Sequence, residues 1–377
     1  MDIKTKLKLI TQNTEEVLTE VELENLISTN TPLRHYIGFE ISGLVHLGTG
    51  LVCMQKIKDF QEAGVYCSIL LADWHSWIND KLGGDREIIK NMGVPYFREG
   101  LIAGLKCVGA DPNKVKFVLG TELYHNNDDY FATIVEISKY TTLARVKRST
   151  DIMGRQANEQ ADFARLIYPP MQVADIFIQG LNIAHGGIDQ RKAHVIARAV
   201  AMDLKIKPVI GLDGKKIKPI AIHHRLLLGL QKPAIWPVPR ENIRDVWITA
   251  KMSKSIPKSA VFIHDSPDEI KEKVMHAFCP PKETEFNPII DWVKSLIFII
   301  NEKAELLVKR ESRFGGNITF HSSEEICDAF QKELLHPEDL KRAVAEKIIE
   351  ILEPARKHFA TPEVKEKLHK IKGILNQ

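Results

Sequence analysis

The chain has 377 residues, 44% of them hydrophobic, which allows two or three domains of roughly 100–200 residues and excludes global disorder. Its 52 basic and 49 acidic residues leave a net charge of +3, so any basic footprint for nucleic acid has to be local. Cys53, Cys67, Cys107, Cys279 and Cys327 form no CxxC pair and read as reduced thiols of a cytosolic protein without a zinc site; no apolar leader follows Met1, and the apolar run over 292–300 is short of the ~20 residues of a membrane span.

In chain order, residues 1–30 predict one or two short amphipathic helices, with Thr19 and Glu22 spaced as a capping box ahead of Leu23 and Leu26. The stretch over 36–50, YIGFEISGLVHLGTG, predicts a short strand, a turn and a helix entered at about Thr49. Backbone N–H groups at such an entrance suit a phosphate. Gly43 and Gly48 let a ligand approach the backbone, and His46 stands beside them as a donor. An ordinary strand–turn–helix unit with a surface histidine fits the same residues. The helix closes at Gly64, with Leu51, Val52, Ile57 and Phe60 turned inward. A buried strand over 65–72, helix over 85–109 and strand over 116–119 follow, an alternation that predicts a parallel sheet with crossover helices.

From 128 to 181 the pattern turns helical, with candidate helices over 128–148, 151–166 and 169–181. This predicts a helical insertion, about 124–185, between two halves of the sheet. Gly186-Gly187 interrupts the pattern and 191–201 resumes it, whereas 204–250, rich in Pro, Gly and Lys, predicts connecting strands and loops. Ser266-Pro267-Asp268-Glu269 is a helix start and places a domain boundary near 265. The rest predicts helices. Ser322 and Glu325 cap one, 337–353 forms another with Leu340, Val344 and Ile348 inside, and 365–372 is a solvated basic tail.

Lys251-Met252-Ser253-Lys254-Ser255 is the most informative stretch. Two lysines and two hydroxyls on a loop suit a polyphosphate whose leaving pyrophosphate gathers charge, although a solvated lysine loop is the commoner fate of such sequence. Together, HLGT over 46–49 and KMSKS over 251–255 resemble the HIGH and KMSKS signatures of class I aminoacyl-tRNA synthetases, in the same order. KMSKS matches letter for letter, while Thr49 stands where the family carries a second histidine. With YIGFEISG, the stretches YPPMQVAD over 168–175 and GGIDQRK over 186–192 narrow the resemblance to the tyrosyl-tRNA synthetase family of the archaeal and eukaryotic type. FGG over 314–316 and HPEDLK over 336–341 are similar to that family's C-terminal domain, so the resemblance runs from about 33 to 356.

The resemblance implies an α/β fold: a Rossmann-like parallel-sheet catalytic domain over 1–265, and a mainly helical anticodon-binding domain over 266–377. It implies activation of L-tyrosine with ATP and Mg²⁺, and transfer of the tyrosyl group to the 3′-terminal adenosine of tRNA(Tyr). Tyr36 and Asp175 would read the substrate hydroxyl. Tyr168, Gln172 and Gln190 would hold its ammonium and carboxylate, with Leu70 and His75 lining the pocket. A phenol and a carboxylate are suitable partners for a hydroxyl, and Tyr168, Gln172 and Asp175 are spaced to share one helix face. On the ATP side stand Gly38, Gly43, His46, Gly48, Gly186, Asp189, Met252 and Ser253, with His46, Lys251 and Lys254 as the catalytic groups at the phosphates. No protein-held metal is implied.

For tRNA, Arg148, on a basic stretch with Arg145, Lys147 and Arg155, matches a position near the acceptor end, as does Arg191. His336 and Asp339 match the readers of the first anticodon base, with Phe298 a candidate stacking partner. The family is homodimeric and cytoplasmic. Alternatives are tryptophanyl-tRNA synthetase, a nucleotidylyltransferase sharing the HLGT-like phosphate site, and a catalytically silent RNA-binding relative. Tyr36 with Asp175 argues against the first, because an indole offers only an N–H donor. The long helical C-terminal region argues against the second, and the intact KMSKS against the third.

Overall fold

The computed structural model describes residues 1–154, 162–253, 257–301 and 304–375. Its centre is a six-stranded sheet in the order β1 (Glu16–Leu18), β6 (Ile220–His224), β5 (Ile183–Gly187), β2 (Arg34–Phe39), β3 (Tyr66–Leu71), β4 (Val115–Leu119). All neighbours are parallel except β1, which pairs antiparallel with β6. The expected α/β class with a parallel sheet is therefore observed. β3, β5 and β6 are buried along nearly their whole length, as strands covered by helices on both faces require. β2 sits in the middle; β3 and β4 extend the sheet one way and β5 and β6 the other. The order reverses between β2 and β5, where an open α/β sheet leaves a crevice beyond its carboxyl edge.

Several local expectations are corrected. β1 lies in a region read as helices only, and its edge pairing with β6 is non-local. The span 128–148 is two helices, Asp128–Lys139 and Leu143–Ser149, because Thr142 caps the second through the Arg145 N–H. The helix expected over 151–166 is not continuous among the described residues: a 3₁₀ turn, Thr150–Met153, ends at left-handed Gly154, residues 155–161 lie outside the described residues, and the next described helix is Phe163–Ile178. That helix runs through Pro169 and Pro170, which were read as a helix start. Complete or near-complete burial of Met171, Val173, Ala174, Ile176 and Phe177 outweighs the lost backbone hydrogen bonds. The end of 204–250 is helical, Ile243–Ala250, with Val246 and Trp247 packed against Leu228 and Phe286.

The HLGT stretch enters a π-helical turn, Gly48–Val52, continued by the Cys53–Glu62 helix. This turn presses directly on the Val94–Val108 helix: a Cβ on Gly104 would lie 2.1 Å from the Gly50 carbonyl oxygen. Gly104→Ala is therefore expected to force the two helices apart and destabilise the fold by about 1–3 kcal/mol, read as a lowered denaturation midpoint.

In the C-terminal region the Pro267–Met275 helix has the expected capping box between Ser266 and Glu269, and Ser322 caps Ser323–Gln331. The region is not wholly helical: β7 (Leu306–Val308) and β8 (Ile318–Phe320) form an antiparallel hairpin. The Pro337–Ile351, Glu353–Phe359 and Pro362–Leu375 helices complete it. The last contains the stretch read as a solvated basic tail, yet Ile371 is buried and Lys367 lies 2.9 Å from Glu99 of the Val94–Val108 helix.

Candidate active site

A cavity of about 350 Å³ opens at the carboxyl ends of β2, β5 and β6. Tyr36 to Glu40 form one wall, Gly186, Gly187, Asp189 and Gln190 another, and Arg225 to Leu227 with Lys251 to Ser253 the mouth. The Phe163–Ile178 helix brings Tyr168, Gln172 and Asp175 to the same cavity.

Asp175 is fully buried at the inner end. Its Oδ1 accepts hydrogen bonds from the Tyr124 hydroxyl at 2.9 Å and the Tyr130 hydroxyl at 3.1 Å, two rings stacked at 4.0 Å. Its Oδ2 has no hydrogen-bond partner, and His75 Nε2 lies 3.5 Å away. Burial pushes the Asp175 carboxyl up to about 7, against the pull of the two tyrosine hydroxyls. Tyr36 is buried beside it, its phenol held well above the usual range by burial and then by the Asp175 charge. The ring lies over Gly38, where a Cβ would approach the Tyr36 hydroxyl to 2.6 Å. Gly38, assigned to the ATP side from sequence, thus also seats the Tyr36 ring.

Nearer the mouth, the Tyr168 hydroxyl donates to Glu40 Oε1 at 2.8 Å, and Asn79 Nδ2 donates to the same oxygen at 2.8 Å. Lys81 pairs with Glu40 Oε2 at 3.3 Å. Gln172 Nε2 donates to Gln190 Oε1 at 3.1 Å, and Gln190 Nε2 to the Ile152 carbonyl. Gln172 Oε1 and both His75 nitrogens lack hydrogen-bond partners, as does Asp175 Oδ2. Buried polar atoms without partners are costly, and four of them around one cavity mark where a polar ligand completes the bonding.

At the outer end His46 lies beside Gly48, where a Cβ would come to 3.0 Å of its ring, and the Thr49 N–H donates to His46 Nδ1 at 3.4 Å. Lys251 Nζ lies 2.6 Å from Asp189 Oδ2. Met252 is buried and Ser253 lines the cavity mouth. Lys254 and Ser255 lie outside the described residues, as does Arg155. Two sequence assignments are not brought to the cavity wall. Leu70 is buried behind it, in the cluster that holds Tyr36. Gly43 makes the turn before His46 with φ 117°, a conformation that favours glycine.

Away from the cavity, Arg148 is exposed and its carbonyl accepts from Lys192 at 2.8 Å, so the basic helix end and the GGIDQRK stretch are neighbours. Arg191 Nε reaches both Glu16 carboxylate oxygens at 2.9 and 2.8 Å. His336 is exposed and caps the Pro337–Ile351 helix through the Glu338 N–H, with half-buried Asp339 in its first turn. Phe298 is half-buried against the main core rather than presented for stacking.

Sequence reading missed Glu40, Tyr124 and Tyr130. Glu40 carried a signal, a carboxylate ending an apolar strand at the switch point. Tyr124 and Tyr130 carried none, because a turn separates them. A buried row of rings was missed as well: His35 Nε2 and His185 Nδ1 are 3.1 Å apart, and His185 Nε2 and His224 Nδ1 2.8 Å. Cys53 Sγ closes the row 3.5 Å from His224 Nε2. Burial holds His35 at about 3 and His224 at about 4, so these rings are neutral polar flooring near neutral pH.

The family described as tRNA synthetases class I (W and Y) matches residues 28–353. A tyrosine–tRNA ligase of Thermococcus sibiricus is 55% identical over 361 residues, 95% of this chain and 96% of that protein. One of Pyrococcus abyssi is 52% identical over 375 residues, 99% of each. The crystal structure of a tyrosyl-tRNA synthetase complexed with L-tyrosine from Pyrococcus horikoshii aligns with a TM-score of 0.95 at 51% identity, covering 99% of this chain and 100% of that one. A tryptophanyl-tRNA synthetase of Aeropyrum pernix, 17% identical with a TM-score of 0.64 over 94% of this chain and 84% of that one, shares the fold alone.

Proposed function

This chain belongs to the class I tRNA synthetases of the tryptophan and tyrosine type, and we infer that within them it is a tyrosine–tRNA ligase. The observation that carries the reading is the unpartnered Oδ2 of buried Asp175 beside the Tyr36 phenol. A substrate hydroxyl donates to the carboxylate and accepts from Tyr36. An indole N–H only donates, and phenylalanine leaves both groups unpaired.

ATP is the second substrate, as in the family, and Mg²⁺ arrives with it on phosphate oxygens and water. Tyr168, Gln172 and Gln190 hold the ammonium and carboxylate of tyrosine, with His75 against the Tyr168 edge at 4.6 Å. The tyrosine carboxylate attacks the α-phosphate, the bond to pyrophosphate breaks, and His46, Lys251 and Lys254 stabilise the charge that leaves. Gly48, Gly186, Met252 and Ser253 shape the nucleotide site, and Asp189 takes the ribose hydroxyls. A 3′-terminal ribose hydroxyl of tRNA(Tyr) then attacks the tyrosyl-adenylate and releases AMP. No side-chain nucleophile is involved, so catalysis is positioning and charge stabilisation. Arg148 and Arg191 face the acceptor end, and His336 with Asp339 the anticodon. Residues 1–265 work as the catalytic domain and 266–377 as the anticodon-binding domain.

Tyrosine-dependent ATP–pyrophosphate exchange, run beside phenylalanine and tryptophan, tests the reading. Exchange with tryptophan alone overturns the pocket assignment, and exchange with none of the three overturns the activity. Tyrosine affinity is also expected to strengthen as pH rises through about 7, where the Asp175 carboxyl ionises, and Asp175→Asn to flatten that profile in equilibrium dialysis. The stability effect of this group has the opposite sign. Its folded pKa is raised, so its contribution is full below its ordinary value of 3.8 and is lost as pH climbs to about 7.

The chain works as a cytoplasmic homodimer. Among the described residues no helix is long and apolar enough to cross a membrane. Phe131, Val135 and Leu143 stand 71%, 43% and 59% exposed on the Asp128–Lys139 and Leu143–Ser149 helices, an apolar face suited to a second copy. Phe131→Glu is expected to shift sedimentation from dimer to monomer; an unchanged dimer places the interface elsewhere.

A further inference from the structure

The segment over 226–230, which follows β6, is held from two sides. An extended strand presents its backbone groups alternately to left and right. On one side the Leu227 carbonyl accepts from the Met252 N–H at 2.7 Å, and the Gly229 N–H donates to the Ala250 carbonyl at 2.9 Å. Leu228 therefore faces Lys251 as an antiparallel bridge. On the other side the Leu228 N–H donates to Asp291 Oδ2 at 2.9 Å, and the Leu228 carbonyl accepts from Trp292 Nε1 at 3.0 Å. Asp291, Trp292 and Leu228 are all buried.

Two consecutive side chains of the Pro288–Trp292 helix thus occupy the place of a neighbouring strand. Asp291 is itself held by Ser295 at 3.3 Å and faces Arg225 at 3.8 Å. Two residues beyond Leu228, the Phe278 N–H donates to the Leu230 carbonyl at 2.8 Å, a second tie from the C-terminal region to the same segment. That segment also supplies Leu226 and Leu227 to the cavity, on the side where Lys251 meets Asp189. A hydrogen-bonded path therefore runs from the first helices of the C-terminal region, through Leu228, to Lys251 and Met252.

We propose that Asp291 and Trp292 are positioning residues for the ATP-dependent step: by holding Leu228 they set the position of Lys251 and Met252 against the bound nucleotide. The proposal rests on the reading of this chain as a tyrosine-activating synthetase. Neither side chain lines the cavity. Removing the carboxylate leaves the buried Leu228 N–H without an acceptor, and the 226–230 segment has to move to find one. A shift of about 1 Å in a catalytic group costs up to ~100-fold in rate.

The test measures tyrosine-dependent ATP–pyrophosphate exchange against ATP concentration, per titrated active site, for Asp291→Ala, Asp291→Asn and Trp292→Phe. Tyrosine Kd is measured by equilibrium dialysis on the same preparations. Asp291→Ala and Trp292→Phe are expected to lower kcat/KM for ATP about tenfold or more with tyrosine Kd within about twofold of the parent. Asp291→Asn, whose carboxamide oxygen still accepts from Leu228, is expected to recover most of the loss. In folded variants a merely structural role would lower only the yield of active sites, with kcat/KM for ATP per site unchanged, or weaken tyrosine and ATP alike, and either result overturns the proposal. So does a kcat/KM for ATP within about twofold of the parent in Trp292→Phe, the milder change, which decides the matter if Asp291→Ala does not fold. Absence of exchange in the parent protein would overturn instead the activity on which the proposal rests.

Discussion

Asp175→Asn is expected to lower kcat/KM for tyrosine in the exchange reaction by about a hundredfold, through loss of a charge-assisted hydrogen bond worth about 1.5–3 kcal/mol. The swap is nearly isosteric. Its amide oxygen can still accept from Tyr124 and Tyr130, so the stacked tyrosine pair and the helix behind it should hold. What changes is the second oxygen, which has no hydrogen-bond partner in the structure and faces the cavity. An amide N–H₂ placed there presents a donor where the substrate needs an acceptor. Selectivity for tyrosine over phenylalanine should fall with it, because phenylalanine never used that oxygen. Steady-state exchange with both amino acids, beside thermal melts of parent and variant, reads this directly. A loss below about threefold in a folded variant would move hydroxyl recognition away from Asp175.

Lys251→Ala is expected to cut kcat for activation by roughly 10²–10³ while tyrosine Kd stays within about twofold. Lys251 is the one lysine of the KMSKS stretch within the described residues, and its ammonium is paired with Asp189 at 2.6 Å. When ATP binds, ribose hydroxyls can take over Asp189, freeing the lysine to meet the charge that develops on pyrophosphate. The ammonium then acts mainly in the transition state, so kcat should fall more than KM for ATP rises. Rapid-mixing measurement of tyrosyl-adenylate formation separates the two. An equal loss in tyrosine affinity would mean that the substitution disturbed the pocket rather than the phosphate step.

The legible parts of this protein were those written in contiguous residues. HLGT, the 168–175 stretch, GGIDQRK and KMSKS are short contiguous motifs that carry the family resemblance, and the structure brings described members of all four to one cavity. The Ser266–Glu269 capping box and the strands β2, β3 and β4 were legible for the same reason, whereas β5 begins at Ile183 inside the span read as the helical insertion: Ser266 and Glu269 interact within one helical turn, and a strand buried on both faces, such as β3, is mostly apolar.

Other features were decided by partners far along the chain. Gly104 is an unremarkable helix residue until the Gly50 carbonyl is found against it. Pro169 and Pro170 suggest a helix start by local rule, but a buried face carries the helix through them. Tyr124 and Tyr130 are joined to Asp175 across 51 and 45 residues, and Leu228 to Asp291 across 63. Sequence by itself determined the α/β class with its parallel sheet and the helix starts at Ser266 and Ser322, because these depend on backbone geometry and on neighbours within a turn or two. Only tertiary structure decided which oxygen of Asp175 is left open, how Lys251 is restrained and what holds the 226–230 segment beside it. Hydrogen bonds between distant residues depend on where the packed core brings the chain back together, and no local spacing encodes that position.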